Sequence, residues 1–200
     1  MFCDFHTHRP GKNALVSAEK MPEHIPYWSF QIHPWDLPEK FVFPEPGFFD
    51  SLSSAAALGE IGLDRLKGPS LEVQRKYLDF FLETAEARQL AVVIHCVRCD
   101  AELDAALKNF SGKVLIHGFR GGEKRLLNHL EKGRFVSFAP GGWKHCPETL
   151  RENGLRNIGL ETDDALLDIK KVYEQAEAET KIAGWESICA DNFLRFTGGK

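Results

Sequence analysis

Residues 90–95, Leu-Ala-Val-Val-Ile-His, and residues 113–117, Lys-Val-Leu-Ile-His, are the two segments that indicate the fold class most directly. Each is a short apolar run that ends in a histidine, and such runs are typical of buried strands. Between them, Leu103, Leu107 and Phe110 recur at helical spacing. The order of strand, helix and strand indicates a βα unit, from which parallel sheets are built.

Similar apolar runs recur along the chain, with helical segments between them, the clearest at residues 71–89. We count seven runs, which are residues 1–5, 27–32, 55–61, 90–94, 113–116, 134–138 and 157–160. A complete eight-stranded β/α barrel takes about 250 residues, whereas this chain has 200. The sequence therefore predicts an α/β fold, a TIM-type (β/α) barrel that is compact or incomplete, with about seven strands, closed by C-terminal helices. Residues 9–54, interrupted by prolines, predict loops and short helices.

The composition indicates a single domain over residues 1–200, because 43% of the residues are hydrophobic and 27% are charged. The formal net charge of -4 argues against a broad basic surface for nucleic acid, although it permits a locally positive site. Five cysteines, an odd number, are typical of a reducing compartment. We find neither a signal-peptide pattern nor an apolar stretch of about 18 residues. We therefore expect a cytoplasmic protein with no membrane association and no obligatory protein partner.

The first candidate ligands are His6 and His8, which end the first apolar run. Side chains on a strand alternate between its two faces, so both imidazoles project to the same side. Two nitrogen ligands can then converge on one metal ion. An isolated pair of this kind can equally be two surface histidines in a loop, so the prediction depends on the other strands.

Four more residues of ligand type stand at the ends of other runs, namely Glu60, His95, His117 and Asp163. Glu60 lies among apolar neighbours, where an unpaired buried charge is costly and a metal ion would neutralise it. The alternative for Glu60 is an ion pair with an arginine such as Arg65. A lone histidine at a strand end can be a core residue, but the repetition at several strand ends favours a shared site.

The ends of barrel strands face one mouth, which is where enzymes of this architecture place their chemistry. Four imidazoles and two carboxylates can hold two divalent ions, Mg²⁺, Mn²⁺ or Zn²⁺, about 4 Å apart. Glu60 is the candidate for the carboxylate that bridges them, and Asp163 for the group that both binds an ion and accepts the proton of the attacking water. Two dications against two carboxylates leave an excess of positive charge, which favours phosphate esters as substrates.

Two arginines follow the ligand histidines by three residues each, Arg98 after His95 and Arg120 after His117. Guanidinium groups at the mouth of the barrel would bind phosphate oxygens. The alternative is that both are solvated arginines of surface loops.

The sequence resembles the TatD family of metal-dependent deoxyribonucleases, which belong to the amidohydrolase-like barrels. The motifs that carry the resemblance are Asp-Phe-His-Thr-His at residues 4–8, Ile-His-Pro-Trp at 32–35, Gly-Glu-Ile-Gly-Leu-Asp at 59–64, Ile-His-Cys at 94–96, His-Gly-Phe at 117–119 and Glu-Thr-Asp at 161–163. They follow one another in the family's order through nearly the whole chain, and the segment at 59–64 is the most characteristic. The resemblance implies a deoxyribonuclease acting on DNA.

The resemblance also implies a division of the ligands between two metal ions. One ion is held by His6, His8, Glu60 and Asp163, and the other by Glu60, His95 and His117. His33 and Asp64 would lie near the substrate or behind the ligands.

The sequence departs from the family pattern at a few positions near the substrate. Gln31 replaces the glycine of the motif at residues 31–34, Arg98 stands one place further from its histidine, and Arg120 occupies a position that is usually small. The segment after Asp163 lacks the family's long loop. These changes spare the ligands and affect how a DNA strand would bind.

Three functions remain open from the sequence. The first is a metal-dependent hydrolase that cleaves phosphodiester bonds of DNA with a metal-activated water. The second is a related metal enzyme that acts on another phosphoester, an ester or an amide, because one metal centre serves many bonds in such barrels. The third is a member of the family that has kept the fold without catalysis.

Overall fold

A computed structural model of the chain describes residues 1–45, 47, 50 and 52–198. Its strands are β1 (Asp4–Thr7), β2 (Ala14–Ala18), β3 (Trp28–Phe30), β4 (Ala57–Asp64), β5 (Ala91–Val97), β6 (Val114–Ile116), β7 (Phe135–Phe138) and β8 (Ile158–Leu160). They form an eight-stranded sheet in which the strands follow one another in chain order. The pairings β1–β2, β3–β4, β4–β5, β6–β7 and β7–β8 are all parallel.

Helices alternate with the later strands and then end the described chain. They are α1 (Leu71–Arg88), α2 (Asp100–Ala106), α3 (Glu123–Glu131), α4 (Pro147–Glu152), α5 (Ile169–Thr180) and α6 (Trp185–Thr197). The order of strands and helices is that of a TIM-type (β/α) barrel, which confirms the predicted fold class. Among the described helices, none is long and apolar enough to cross a bilayer.

The long helix α1 confirms the prediction over residues 71–89 to within one residue. Its N-terminus is capped by Ser70, whose hydroxyl accepts a hydrogen bond from the backbone N–H of Val73 at 3.4 Å. Its C-terminus is closed by Gln89, which adopts the left-handed conformation that ends many helices. The face with Leu78 and Phe81 is buried, as the helical spacing of these residues predicts.

The sheet has eight strands in the described part of the chain, one more than the predicted number of about seven. The missed strand is β2, with the sequence Ala-Leu-Val-Ser-Ala, in the segment where loops and short helices were expected. Its first four residues are all buried, so it shows no alternation of polar and apolar side chains, and the prolines around it hide its boundaries. The part of the prediction for residues 9–54 that falls on residues 46, 48, 49 and 51 lies outside the described residues.

By its internal contacts the chain divides into two compact units, which we call the first and the second unit. The first comprises Met1–Val16, Ile25–Tyr27 and Leu115–Lys200, and the second comprises Ser17–His24 and Trp28–Val114. The prediction of one domain over residues 1–200 stays a prediction.

The first unit holds the two ends of the strand order together. A parallel bridge joins Thr7 at the end of β1 to Asp163 beyond β8, and the backbone N–H of Asp163 donates to the carbonyl of His6 at 3.0 Å. Phe5 on β1 packs edge-to-face against Phe193 of α6, with ring centroids 5.4 Å apart. The two strand ends that carry candidate ligands are therefore fixed side by side.

The second unit is built on the pairing of β4 with β5. All eight residues of β4 are buried, which is expected of a parallel strand that is covered on both faces. The register places Gly62 opposite His95 and Asp64 opposite Val97. Helix α1 supplies the apolar cover of β4.

Candidate metal sites

In the second unit, His33, Glu60 and His95 present ligand atoms that lie within 4.8 Å of one another. The Oε1 atom of Glu60 is 3.1 Å from His33 Nε2 and 3.0 Å from His95 Nδ1. Glu60 and His33 are buried, and His95 is nearly so. We call these three residues, together with Asp64, the second-unit cluster.

The placement of Glu60 against His95 depends on two glycines in β4. A Cβ atom on Gly59 would lie 2.3 Å from the carbonyl oxygen of Val93, and one on Gly62 would lie 1.9 Å from that of His95. Both glycines also have positive φ angles, +143° and +151°, which side-chain-bearing residues rarely adopt. Only glycine lets the backbones of β4 and β5 approach this closely. Glu60 lies between the two glycines along β4.

The fourth member of this cluster, Asp64, accepts hydrogen bonds on both carboxylate oxygens. Its Oδ2 lies 3.0 Å from His95 Nε2 and accepts from the indole Nε1–H of Trp35 at 2.7 Å. Its Oδ1 accepts from the backbone N–H groups of Leu66 and Lys67. Burial alone would raise the pKa of Asp64, but the hydrogen bonds from His95, Trp35 and Leu66 outweigh it and lower the pKa below its usual value.

The hydrogen bonds of His33 determine which of its ring nitrogens carries the proton. Nδ1 lies 3.1 Å from the backbone N–H of Trp35 and accepts from it, so the proton of the neutral ring is on Nε2. Nε2–H then donates to Glu60 Oε1 at 3.1 Å. In this state His33 orients the carboxylate of Glu60, because Nε2 has no lone pair left for a metal ion.

In the first unit, His6, His117 and Asp163 present ligand atoms within 4.8 Å of one another. Asp163 Oδ1 is 3.9 Å from His6 Nε2 and 3.6 Å from His8 Nε2. The rings of His6 and His117 lie 4.2 Å apart between centroids. His6 is fully buried, whereas the side chain of Asp163 is 33% exposed. We call His6, His8, His117 and Asp163 the first-unit cluster.

Glu161 stands behind His117 in this cluster. It is fully buried, accepts from the backbone N–H of Gly118 at 2.8 Å, and accepts a short hydrogen bond from the hydroxyl of Ser137. Its Oε1 lies 3.5 Å from His117 Nδ1. A carboxylate on this side of the ring favours Nε2 as the nitrogen that binds a metal ion.

Asp4, the first residue of β1, supports the same unit. Its carboxylate accepts from the backbone N–H of Thr162 at 3.0 Å and from the Thr162 hydroxyl at 2.6 Å. Burial raises the pKa of Asp4 to about 7, although the hydrogen bonds from Thr162 oppose the shift. These bonds tie the start of β1 to the segment that carries Asp163.

The structure thus groups the predicted site residues within each unit. The second unit brings together His33, Glu60, Asp64 and His95, and the first unit brings together His6, His8, His117 and Asp163. The expectation that each ligand stands at the end of a strand is wrong for Glu60 and His95, which lie inside β4 and β5. The alternative of a Glu60–Arg65 ion pair is also wrong, since Arg65 pairs with Glu102.

The two predicted phosphate-binding arginines lie outside both clusters. Arg98 directly follows β5, and Arg120 stands in the loop between β6 and α3. Both are exposed, and their binding of phosphate stays a prediction.

Several supporting residues received no role from the sequence. Trp35 and Gln74 both contact Asp64, and Glu161 stands behind His117. Trp35 and Glu161 lie within the motifs at residues 32–35 and 161–163. Their closeness in sequence to the candidate residues His33 and Asp163 was the signal that could have identified them. The sequence placed Gln74 on a helix similar to one of the TatD family but did not predict its contact with Asp64, ten residues away.

The donor types of both clusters fit divalent metal ions. Imidazole nitrogens and carboxylate oxygens are the ligands that zinc and manganese accept, and the carboxylates also suit magnesium. The carboxylates of Glu60 and Asp64 are buried beside a histidine, where a cation would offset the cost of burying negative charge.

Comparisons with known proteins give one family. The family model described as TatD related DNase matches residues 3–183. A crystal structure of a hydrolase TatD family protein from Entamoeba histolytica is similar, with a TM-score of 0.70 and 14% identity, over 94% of this chain and 85% of that one. So is that of YJJV, a TatD homolog from Escherichia coli k12, with a TM-score of 0.66, 21% identity and the same coverage. Both likenesses concern the fold, and no protein of curated function matches the sequence.

Proposed function

This chain belongs to the TatD related DNase family, and from that premise we propose that it hydrolyses phosphodiester bonds of DNA with divalent metal ions. One observation carries the proposal. Each unit gathers imidazole and carboxylate groups within 4.8 Å of one another, on a strand or within three residues after one, and enzymes of this fold place their chemistry at strand ends.

We propose two metal ions per chain, Mg²⁺, Mn²⁺ or Zn²⁺, with the ligands that the family resemblance implies. His6, His8 and Asp163 would hold one ion, and His95 and His117 the other, with Glu60 as the shared ligand. Bound divalent ions would activate water as a nucleophile at neutral pH and stabilise the negative charge that develops on the phosphate oxygens.

Asp163 is proposed as the group that accepts a proton from the attacking water. A general base must be reachable by the water it deprotonates, and the Asp163 side chain is 33% exposed while His6 beside it is fully buried. Its backbone is held by the hydrogen bond to His6, so the carboxylate stays beside the histidines during turnover.

In the second-unit cluster, His33 and Asp64 are proposed to position the ligands Glu60 and His95 and not to transfer protons. His33 donates to Glu60, and Asp64 contacts His95 at Nε2, so each candidate ligand is oriented by a further side chain. Such support is worth roughly 10–100-fold in metal affinity or activity. Arg98 and Arg120 are proposed to bind phosphate groups of the substrate.

The proposal is tested by incubating metal-loaded protein with labelled single-stranded and double-stranded DNA. We expect cleavage with at least one of Mg²⁺, Mn²⁺ and Zn²⁺, abolished by EDTA and by Asp163→Ala. Absence of DNA cleavage with all three ions would refute the proposed DNase activity. Turnover of a small phosphoester, ester or amide without cleavage of DNA would instead support the related metal hydrolase.

A further inference from the structure

Trp35 differs from the other tryptophans of the chain in being on the surface. Trp28, Trp143 and Trp185 are at most 1% exposed, whereas Trp35 is 44% exposed. Burying an indole stabilises a fold by several kcal/mol, so an exposed one needs another explanation. Its place next to the second-unit cluster suggests that explanation.

Trp35 is exposed and yet held firmly. Its backbone N–H donates to His33 Nδ1, and its indole N–H donates to Asp64 Oδ2 at 2.7 Å. Its ring meets those of His33 and His95 edge-to-face, with centroids 4.4 and 5.6 Å apart. A surface aromatic side chain that is fixed at both ends loses little entropy when a ligand packs against it.

Lys67 places a positive charge on this ring. Its Nζ lies 3.8 Å from the centroid of Trp35, a typical cation–π distance. Lys67 is exposed, and no carboxylate in the described part of the chain pairs with its ammonium group. The charge is therefore available to an anionic ligand at this point.

The loop that carries Lys67 is clamped to the protein. The side-chain amide of Gln74 donates to the carbonyls of Lys67 and Pro69 and to that of Asp64. Gly68 passes so close to Pro34 that a Cβ atom would lie 2.5 Å from the Pro34 carbonyl oxygen. Lys67 and Trp35 thus share one rigid frame with Asp64.

We propose that Trp35 and Lys67 form a nucleotide subsite next to the second-unit cluster, in which the indole stacks on a base and the ammonium binds a phosphate. This inference rests on the proposed function and names the part of the substrate that the site reads. Aromatic faces combined with basic groups are the means by which proteins hold single-stranded nucleic acid without sequence preference. The subsite requires a base that is free to stack, so it favours single strands and unpaired ends.

The test compares two substrates of the same length, a labelled single-stranded oligodeoxynucleotide and a fully abasic oligonucleotide of identical backbone. The variants are Trp35→Leu, Trp35→Phe and Lys67→Gln. Lys76→Gln is the matched control, because Lys76 is an exposed lysine that pairs with Glu72 on α1. For each protein, binding is measured by fluorescence anisotropy and cleavage by KM and kcat, after circular dichroism and metal content have been compared with those of the wild type.

For Trp35→Leu we expect Kd and KM to rise about tenfold for the base-containing strand and less than twofold for the abasic one. Trp35→Phe keeps an aromatic face and should change the ratio between the substrates less than threefold. Lys67→Gln should weaken binding of both substrates about equally, by about three- to tenfold, and Lys76→Gln should change neither.

An equal loss for both substrates in Trp35→Leu would overturn the base-stacking role and leave Trp35 as a support of Asp64. Unchanged binding in Lys67→Gln would overturn the phosphate contact. If the wild type cleaves neither substrate, the proposed function fails, and the anisotropy ratios still decide the subsite. If the wild type binds neither strand, the subsite is refuted as well.

Discussion

The two clusters of candidate ligands differ in how the protein holds them. In the second-unit cluster, both oxygens of Asp64 and the Oε1 atom of Glu60 lie within 3.1 Å of a donor or a ring nitrogen, and the residues sit inside or beside two long buried strands. In the first-unit cluster, Asp163 Oδ1 approaches His8 Nε2 only to 3.6 Å and His6 Nε2 only to 3.9 Å, which is longer than a hydrogen bond. Its side chain is also partly open to solvent.

We infer that the first-unit cluster depends more than the second-unit cluster on a bound ion for its final geometry. Hydrogen bonds already fix the second-unit cluster, so its two proposed metal ligands, Glu60 and His95, are held in place by His33 and Asp64. The first-unit cluster combines residues from three separate segments, and its carboxylate, on Asp163, is 33% exposed and therefore accessible to water. We expect the second-unit cluster to tolerate little change of packing and the first-unit cluster to tolerate little change of charge. Four experiments examine this contrast.

The largest expected effect is on catalysis, from Asp163→Ala in the first-unit cluster. Removing this proposed metal ligand and proton acceptor should lower kcat about 10³-fold, equivalent to about 4 kcal/mol. Folding stability should fall by only about 1 kcal/mol, because the side chain is partly exposed and the left-handed backbone at Asp163, with a φ angle of +50°, suits alanine less well than aspartate. Steady-state cleavage of labelled DNA and urea denaturation measure the two quantities. Asp79→Ala, an exposed carboxylate of α1 paired with Arg75, is the control. A loss below tenfold would remove Asp163 from the mechanism.

The next effect is on folding, from Gly62→Ala in the second-unit cluster. The added Cβ would meet the backbone carbonyl of His95 at 1.9 Å in a conformation that alanine avoids, so we expect a loss of about 3 kcal/mol or more in the free energy of unfolding. Urea denaturation measures it. At Gly122, nothing lies within 4 Å of an added Cβ, so Gly122→Ala should cost at most about 1 kcal/mol. Equal costs at the two glycines would contradict the tight approach of β4 and β5.

A smaller effect is expected from Glu161→Ala, which removes the support of His117. The substitution leaves the N–H of Gly118 and the hydroxyl of Ser137 without their carboxylate, at a cost of about 2 kcal/mol. Thermal denaturation checks the stability, and titration with Mn²⁺ checks the metal affinity, which should fall about tenfold. Glu177→Ala, on the exposed side of α5, should change neither. An unchanged Mn²⁺ affinity in Glu161→Ala would mean that His117 needs no orienting carboxylate.

The smallest effect is expected at His33 when metal ions are removed. Because its hydrogen bonds to Trp35 and Glu60 fix the His33 ring, the neutral ring should keep its proton on Nε2 in metal-free protein. ¹⁵N chemical shifts of the histidine side chains, recorded with and without EDTA, report the tautomer. The same shifts for His6 and His8 should change strongly. A change at His33 as large as that at His8 would break the contrast between the clusters.

The sequence predicted the parts of the fold that repeat. The runs at residues 90–94 and 113–116 became β5 and β6, and the helical spacing of Leu78 and Phe81 became the buried face of α1. These features are local, because the period of the apolar residues follows directly from the geometry of the element that contains them. The strand β2 was missed because Ser17 limits its apolar run to three residues, Ala14, Leu15 and Val16, which is too short to stand out as a strand.

The candidate site was predictable as a set of residue types and less so as an arrangement. Glu60 and His95 were expected at strand ends, but β4 continues to Asp64 and β5 to Val97, since buried polar ligands do not look like strand residues in a sequence. The contacts of Asp64 with Trp35 and Gln74 join residues 29 and 10 positions apart. Such contacts depend on the tertiary structure and leave no periodic trace.

The bridge between Thr7 and Asp163 bears on the order in which the two clusters can arise during translation. His33, Glu60, Asp64 and His95 have all left the ribosome once β5 has emerged, so the second-unit cluster can assemble on a partial chain. The first-unit cluster has to wait for Asp163, a delay of several seconds at about 5–20 residues per second. During that interval His6 and His8 belong to a nascent chain that lacks their carboxylate partner. A metal ion bound before Asp163 emerges would therefore meet an incomplete set of ligands.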